Sequence, residues 1–114
     1  MIKTKEELKV VTENNKQGDI SLYLTDLSDF EGKNEKLRMF SLAQLKPGEE
    51  VEFHIHEGEF ESYYIISGTG LYDDNGTVVE VKAGTITHTP SGSGHGLKNT
   101  GEEMLEFIAL IIRD

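Results

Sequence analysis

The 114-residue sequence predicts an all-β fold, a sandwich or barrel built from many short strands. Three observations carry that expectation. Apolar and polar residues alternate, as in Ile20, Leu22 and Leu24 against Ser21, Tyr23 and Thr25, which is the pattern of a half-buried strand. Turn chemistry recurs at short intervals, in Lys46-Pro47-Gly48, Asp73-Asp74-Asn75-Gly76, Ala83-Gly84 and Pro90-Ser91-Gly92-Ser93-Gly94. No stretch sustains a helical period. A chain of this length makes one domain, 1–114, with N-terminal strands and a loop over 1–36 and the barrel core over 37–114.

Taken in order, residues 1–19 are polar around Leu8, Val10 and Val11, and admit two readings. Thr4-x-x-Glu7 could cap a short helix, whereas the β-branched run at 10–12 suits a strand. Asn14-Asn15-Lys16-Gln17-Gly18 reads as a loop, and so does Asp26 to Lys36. Strands are expected over Leu37–Leu45, Val51–His56, Ser62–Ile66 and around Leu71-Tyr72. Asp73-Asp74-Asn75-Gly76 is the strongest hairpin signal, because Asn-Gly supplies the two positive-φ residues of a type I′ turn. Val78, Val79 and Val81 continue beyond it, and Thr85–Thr89 is β-branched enough for another strand. Met104–Ile112, interrupted only by Glu106, reads as a strand covered on both faces.

Composition narrows the function classes. Hydrophobic residues at 36% and charged residues at 28% describe a soluble globular chain. The net charge of −10 disfavours nucleic acid and anionic membranes as partners. No apolar run reaches the ~18 residues of a spanning helix, and MIKTKEELKVV lacks the apolar core of a secretion signal, so a cytoplasmic location is expected. The Asn75-Gly76-Thr77 sequon is then better read as a turn. With no cysteine, any metal must be held by nitrogen and oxygen.

The unusual chemistry lies in GEEVEFHIHEGEFESYYIISG, residues 48–68. His54 and His56 are one residue apart, so a strand projects them from one face, and Glu61 follows closely. His95, in what reads as a glycine-rich turn, could return to the same place. Three neutral imidazoles and one carboxylate are a set of divalent-metal ligands. The bland alternative puts the His-x-His pair on the solvated outer face. Buried inside a small barrel, two polar rings need partners, which a metal supplies. Glu57 and Glu59 are rival carboxylates, expected to be solvated. His88 reads as a structural or surface histidine, or as a base behind the ligands if it faces the cavity, Tyr63 as core filling that could orient a substrate, and Asn99 as a turn residue.

Two constellations organise these residues. G-x5-H-x-H-x4-E-x6-G runs through Gly48, His54, His56, Glu61 and Gly68, and G-x5-P-x-G-x2-H-x3-N through Gly84, Pro90, Gly92, His95 and Asn99. Together they resemble the two signature motifs of the cupin superfamily, with every fixed position filled. The resemblance covers residues 48–99 and implies an antiparallel jelly-roll barrel, the double-stranded β-helix. It implies His54, His56, Glu61 and His95 as ligands of one divalent transition metal ion, whether Mn, Fe, Co, Ni, Cu or Zn. It also implies a compact single-domain member, and with the apolar C-terminal run it leads us to expect a homodimer.

Four ligands leave coordination positions for an anionic oxygen donor, so a small-molecule substrate or ligand is the expected partner. The first reading is a metal-dependent enzyme on a small oxygen-rich substrate, of dioxygenase, decarboxylase or isomerase type. The second is a non-catalytic metal-dependent binding or sensor module, and the third a structural barrel without metal. No acid or base beyond the ligands can be named from the sequence. The motifs of dinucleotide, serine-elbow, Walker and H-E-x-x-H sites are not completed.

Overall fold

The computed structural model describes residues 1–15, 18–24, 30–32 and 34–114, with side chains described outside 13–15, 18 and 19. Among the described residues, ten strands form two antiparallel sheets: β1 (Lys9–Asn15), β2 (Gly18–Leu24), β3 (Leu37–Leu45), β4 (Glu50–Ile55), β5 (Glu59–Ser67), β6 (Thr69–Asp74), β7 (Thr77–Lys82), β8 (Ile86–Thr89), β9 (Gly94–Asn99) and β10 (Leu105–Arg113). The larger sheet runs β1-β2-β3-β10-β5-β8 and the smaller β4-β9-β6-β7. This is the double-stranded β-helix of the expectation. Its hydrogen bonding leaves two facing sheets rather than one closed ring.

Both readings of the N-terminus are realised side by side. Lys5–Glu7 forms a 3₁₀ turn whose Glu7 carboxylate accepts from the Thr4 hydroxyl at 3.1 Å, and β1 begins two residues later. The expected loop at 14–18 is shorter than the sequence suggested. Asn14 and Asn15 pair with Asp19 and Gly18 in a β1–β2 ladder, and residues 16 and 17 lie outside the described residues. In the expected loop at 26–36, residues 30–32 and 34–36 are turn or irregular, and 26–29 and 33 are likewise outside.

The Asn-Gly hairpin is confirmed, with φ of 51° at Asn75 and 103° at Gly76 between the paired Asp74 and Thr77. Gly76 N–H donates to the Asp73 carboxylate at 2.7 Å, which fixes the turn. The C-terminal run forms β10, paired with β3 on one side and β5 on the other. Leu105, Phe107, Ala109 and Ile111 are buried between the sheets, whereas its alternate residues are only partly covered. The expectation of two equally covered faces is therefore corrected. A sheet face with no second layer over it stays half-open.

The core sits between the sheets, around Leu45, Ile65, Leu97, Leu105 and Phe107. Burying each such side chain contributes about 1.5–3 kcal/mol. Asn99 ties the two sheets at one end. Its amide donates to the carbonyls of Leu45 and Glu103, both at 2.8 Å, and its Oδ1 accepts from Gly101 N–H at 2.9 Å. The turn role expected for Asn99 is thus borne out.

Candidate metal centre

The site lies inside the molecule, where the two sheets meet. β4 carries His54 and leads into His56, β9 carries His95, and β5 in the opposite sheet carries Glu61. The sequence placed His95 in a turn. It stands instead on β9, opposite His54 in register and fully buried. Gly94 and Gly96 on either side of it read as chain breakers, yet they are needed because β4 packs close to them. A Cβ on Gly94 would lie 2.8 Å from the His54 carbonyl oxygen, and one on Gly96 would lie 3.1 Å from both Phe53 N and Val51 O.

The β4–β9 ladder contains a register shift with a consequence for the site. Val51 faces Leu97 and His54 faces His95, so three steps along β4 match two along β9. One extra residue reverses which face the following side chains take. Val51, His54 and His56 therefore line one pocket, although regular alternation would turn Val51 away from the histidines. His56 is pinned from its own backbone as well, since its N–H donates to Ser93 O at 3.1 Å and its carbonyl accepts from Gly92 N–H at 2.7 Å. These bonds fasten the turn before β9 to the end of β4.

Four donor atoms converge. The Nε2 atoms of His54, His56 and His95 lie 3.0–3.2 Å from one another. Glu61 Oε1 is 2.9 Å from His56 Nε2, 2.8 Å from His95 Nε2 and 3.8 Å from His54 Nε2. The far side of each ring is also partnered. His54 Nδ1 reaches the Glu52 carbonyl at 2.8 Å, His56 Nδ1 the Glu59 carboxylate at 2.8 Å, and His95 Nδ1 the Tyr72 hydroxyl at 2.7 Å, which in turn contacts Thr89 Oγ1 at 2.8 Å. The carbonyl and the carboxylate can only accept, so Nδ1 of His54 and His56 carries the hydrogen. Their Nε2 lone pairs then point at the centre, and that of His95 does so when it donates to Tyr72.

Such a cluster of lone pairs beside a carboxylate is repulsive unless a cation lies within it. A proton satisfies one donor–acceptor contact at a time, whereas a divalent ion satisfies all four donors. The separations suit an ion: two ligands about 2.1 Å from one centre and at right angles to each other are roughly 3.0 Å apart. A carbonyl, a carboxylate and a hydroxyl on the other ring nitrogens are the usual outer layer around histidines that hold a metal.

Electrostatics agree with a preformed anionic site. Burial would raise the pKa of Glu61, but in the metal-free protein the imidazoles of His54 and His95, when a proton on them faces the carboxylate, outweigh it and bring it to about 2. Burial pushes His95 below the ordinary histidine range, partly opposed by Glu61, which favours the neutral, ligating ring. Glu59 is held below the usual carboxylate range chiefly by its hydrogen bond from Arg38.

A family model described as a cupin domain matches residues 41–111. This chain is a cupin. The oxalate-binding protein of Thermotoga maritima is 43% identical to this cupin over 99 residues, which is 87% of this chain and 82% of the relative. A crystal structure described as a predicted oxalate decarboxylase from Thermotoga maritima superposes with a TM-score of 0.90 at 36% identity, covering 100% of both chains. Oxalate decarboxylase OxdC of Bacillus subtilis is 29% identical over 98 residues, covering 82% of this cupin but 25% of that larger protein.

Glu57 is exposed, as expected. Glu59 is not solvated: its side chain is 13% exposed and engaged by His56 and Arg38. It follows the inward parity of Glu61 and Tyr63, a signal that could have found it. His88 is on the outer face, bonded to Ser62 Oγ at 2.9 Å and against Phe60, far from a substrate role. Tyr63 is buried against Phe107 and lies 4.9 Å from the His95 ring, centroid to centroid. Arg38 and Tyr72 carry no motif or spacing that would have marked them for the site.

Proposed function

We propose that His54, His56, Glu61 and His95 hold one divalent ion and that the pocket beside them takes a small dicarboxylate of oxalate's size. The convergence of the three Nε2 atoms and one carboxylate oxygen carries this reading. The pocket measures about 220 Å³, below the ~300–1,000 Å³ of sites for drug-sized ligands. Its walls include Ile20, Leu22, Val51, Phe107 and Ile111, with Arg38 among them as a cationic group. A divalent ion with three neutral rings and one carboxylate leaves net positive charge, and would supply Lewis acidity and attraction for an anionic oxygen. The rings are held by Glu52 O, Glu59 and Tyr72, so their orientation is set before any ligand arrives. The apolar walls lower the local polarity and strengthen that attraction.

The oxalate-binding relative supports this ligand class, and the oxalate decarboxylase relative supports turnover of the same anion as the second reading. Elemental analysis of protein purified without a metal-affinity step should give one equivalent of divalent metal, lost in His56→Ala. Calorimetry should then show oxalate binding that depends on the metal and weakens for longer dicarboxylates. Metal content unaffected by His56→Ala would end the proposal. Formate and carbon dioxide from metal-loaded protein would favour the second reading over reversible binding.

We further propose a homodimer joined through the outer face of the six-stranded sheet. Val10, Tyr23, Leu42, Ile108, Tyr64 and Ile86 are successive register partners and make one apolar row across all six strands. Phe40 and Leu110 add a second, shorter row beside it.

A further inference from the structure

We infer that Arg38 is a positioning residue for the metal centre, acting on His56 through Glu59; this rests on the metal reading above. The path is short and made of charged groups. Arg38 Nε donates to Glu59 Oε1 and its Nη2 to Oε2, both at 2.7 Å. The same Oε2 accepts the Nδ1 hydrogen of His56 at 2.8 Å, and the opposite nitrogen of that ring faces His54, Glu61 and His95.

The backbone is shaped to bring Arg38 to this place. Along β10, Ile111 faces Met39 and Ile112 faces Leu37, so the ladder steps over Arg38. In a regular strand Arg38 would share the outer face with Phe40 and Leu42. The slip re-aims it past the end of the β10 pairing, toward the inward-facing Glu59 of β5. Arg38 consequently lines the same pocket as His54, His56 and Glu61.

Two effects follow. The guanidinium fork fixes both carboxylate oxygens of Glu59, so the His56 ring is held in one orientation and one tautomer. The Arg38–Glu59 pair is also neutral as a unit, which favours an anionic ligand beside the ion rather than the ion itself, so the zinc affinity reads the orienting effect of the fork and not this charge. Neither effect needs the pair to stabilise the fold. Arg38 is 37% exposed, and pairs of that kind contribute little to stability.

The test is zinc affinity of the full chain, measured by competition with a chromophoric chelator, alongside thermal melts of the metal-free proteins. Arg38→Met should raise the zinc Kd about 10–100-fold while the metal-free melting temperature stays close to wild type. Arg38→Lys, which keeps charge but not the fork, should restore only part of the affinity. Within a Glu59→Gln background, Arg38→Met should change the Kd by no more than about twofold, because its route to His56 runs through that carboxylate.

Wild-type zinc affinity in Arg38→Met would overturn the inference and leave the metal reading standing. So would an equal loss in both backgrounds, which would mean that Arg38 acts on the site by itself. A wild-type chain that takes up no zinc and no other divalent ion would overturn the metal reading and this inference together.

Discussion

At the scale of single residues, the site is built from groups that are each satisfied on their outer side. Tyr72 is the clearest case, buried and joining His95 Nδ1 to Thr89 Oγ1. Tyr72→Phe removes one hydroxyl from a buried chain of three polar groups. It should lower stability by about 1–3 kcal/mol and weaken metal binding about 10–100-fold, read from melts and chelator competition. Unchanged metal affinity would show that the hydroxyl does not orient the ring. Titration gives a second expectation, for the metal-free protein. The folded chain binds the His95 proton less readily than the unfolded chain, so its contribution is complete above the unfolded histidine pKa of about 6.5 and is lost as pH falls through the lower folded value. Glu61, at about 2 in the fold, adds a contribution lost between the ordinary carboxylate range and that value. Melting temperature should thus fall steadily on acidification below about pH 6.5. A flat profile from pH 6.5 down to pH 4 would contradict the His95 shift, and a flat profile from there down to about pH 2 the Glu61 shift.

At the scale of elements, the shift in β4 and the glycines of β9 belong to one device. The extra residue between Val51 and His54 brings backbone against Gly96, where a Cβ would meet Phe53 N and Val51 O at 3.1 Å. Gly96→Ala should cost about 1–3 kcal/mol as an overpacked contact and displace His54 enough to reduce metal occupancy. Native stability and full occupancy together would show that β4 can give way there. The same device explains what the sequence left illegible. His54, His56 and Glu61 were readable because period-two spacing and a nearby carboxylate survive in one dimension. β9 was not, since Gly94 and Gly96, just after the turn at Gly92, have the composition of a turn, and only the closeness of β4 explains why a strand carries them. Glu59 was misjudged for a related reason: an acidic residue near a turn is ordinarily solvated, unless a cation from another strand meets it.

At the scale of the whole molecule, both sheets leave apolar side chains outside, Phe53, Ile55, Leu71, Val78 and Val79 on the smaller one, and the larger one aligns its own in a row of register partners. The six-stranded sheet exposes Phe40 at 42%, Tyr64 at 48%, Ile66 at 46% and Ile86 at 67%. Six strands at ~4.8 Å spacing make the apolar row roughly 24 Å long, and with flanking residues it approaches the ~800 Å² per partner of a standard interface. A two-fold pairing of that face with itself would cover the row at both ends. Light scattering should therefore give twice the chain mass, and Tyr64→Glu combined with Ile108→Glu should give the monomer. A wild-type monomer at micromolar concentration would refute the dimer.

The sequence by itself determined the β class, most of the strands, the Asn75-Gly76 hairpin and the chemical identity of the donor set, because these rest on local conformational preference and on side-chain type. The tertiary structure decided which faces those side chains take. Register slips at Val51–His54 and at Arg38 reverse strand parity, and such slips arise from pairing between strands far apart in the chain. They bring Val51 to the pocket beside the histidines, Arg38 to Glu59, and through Glu59 a cation to the outer edge of His56.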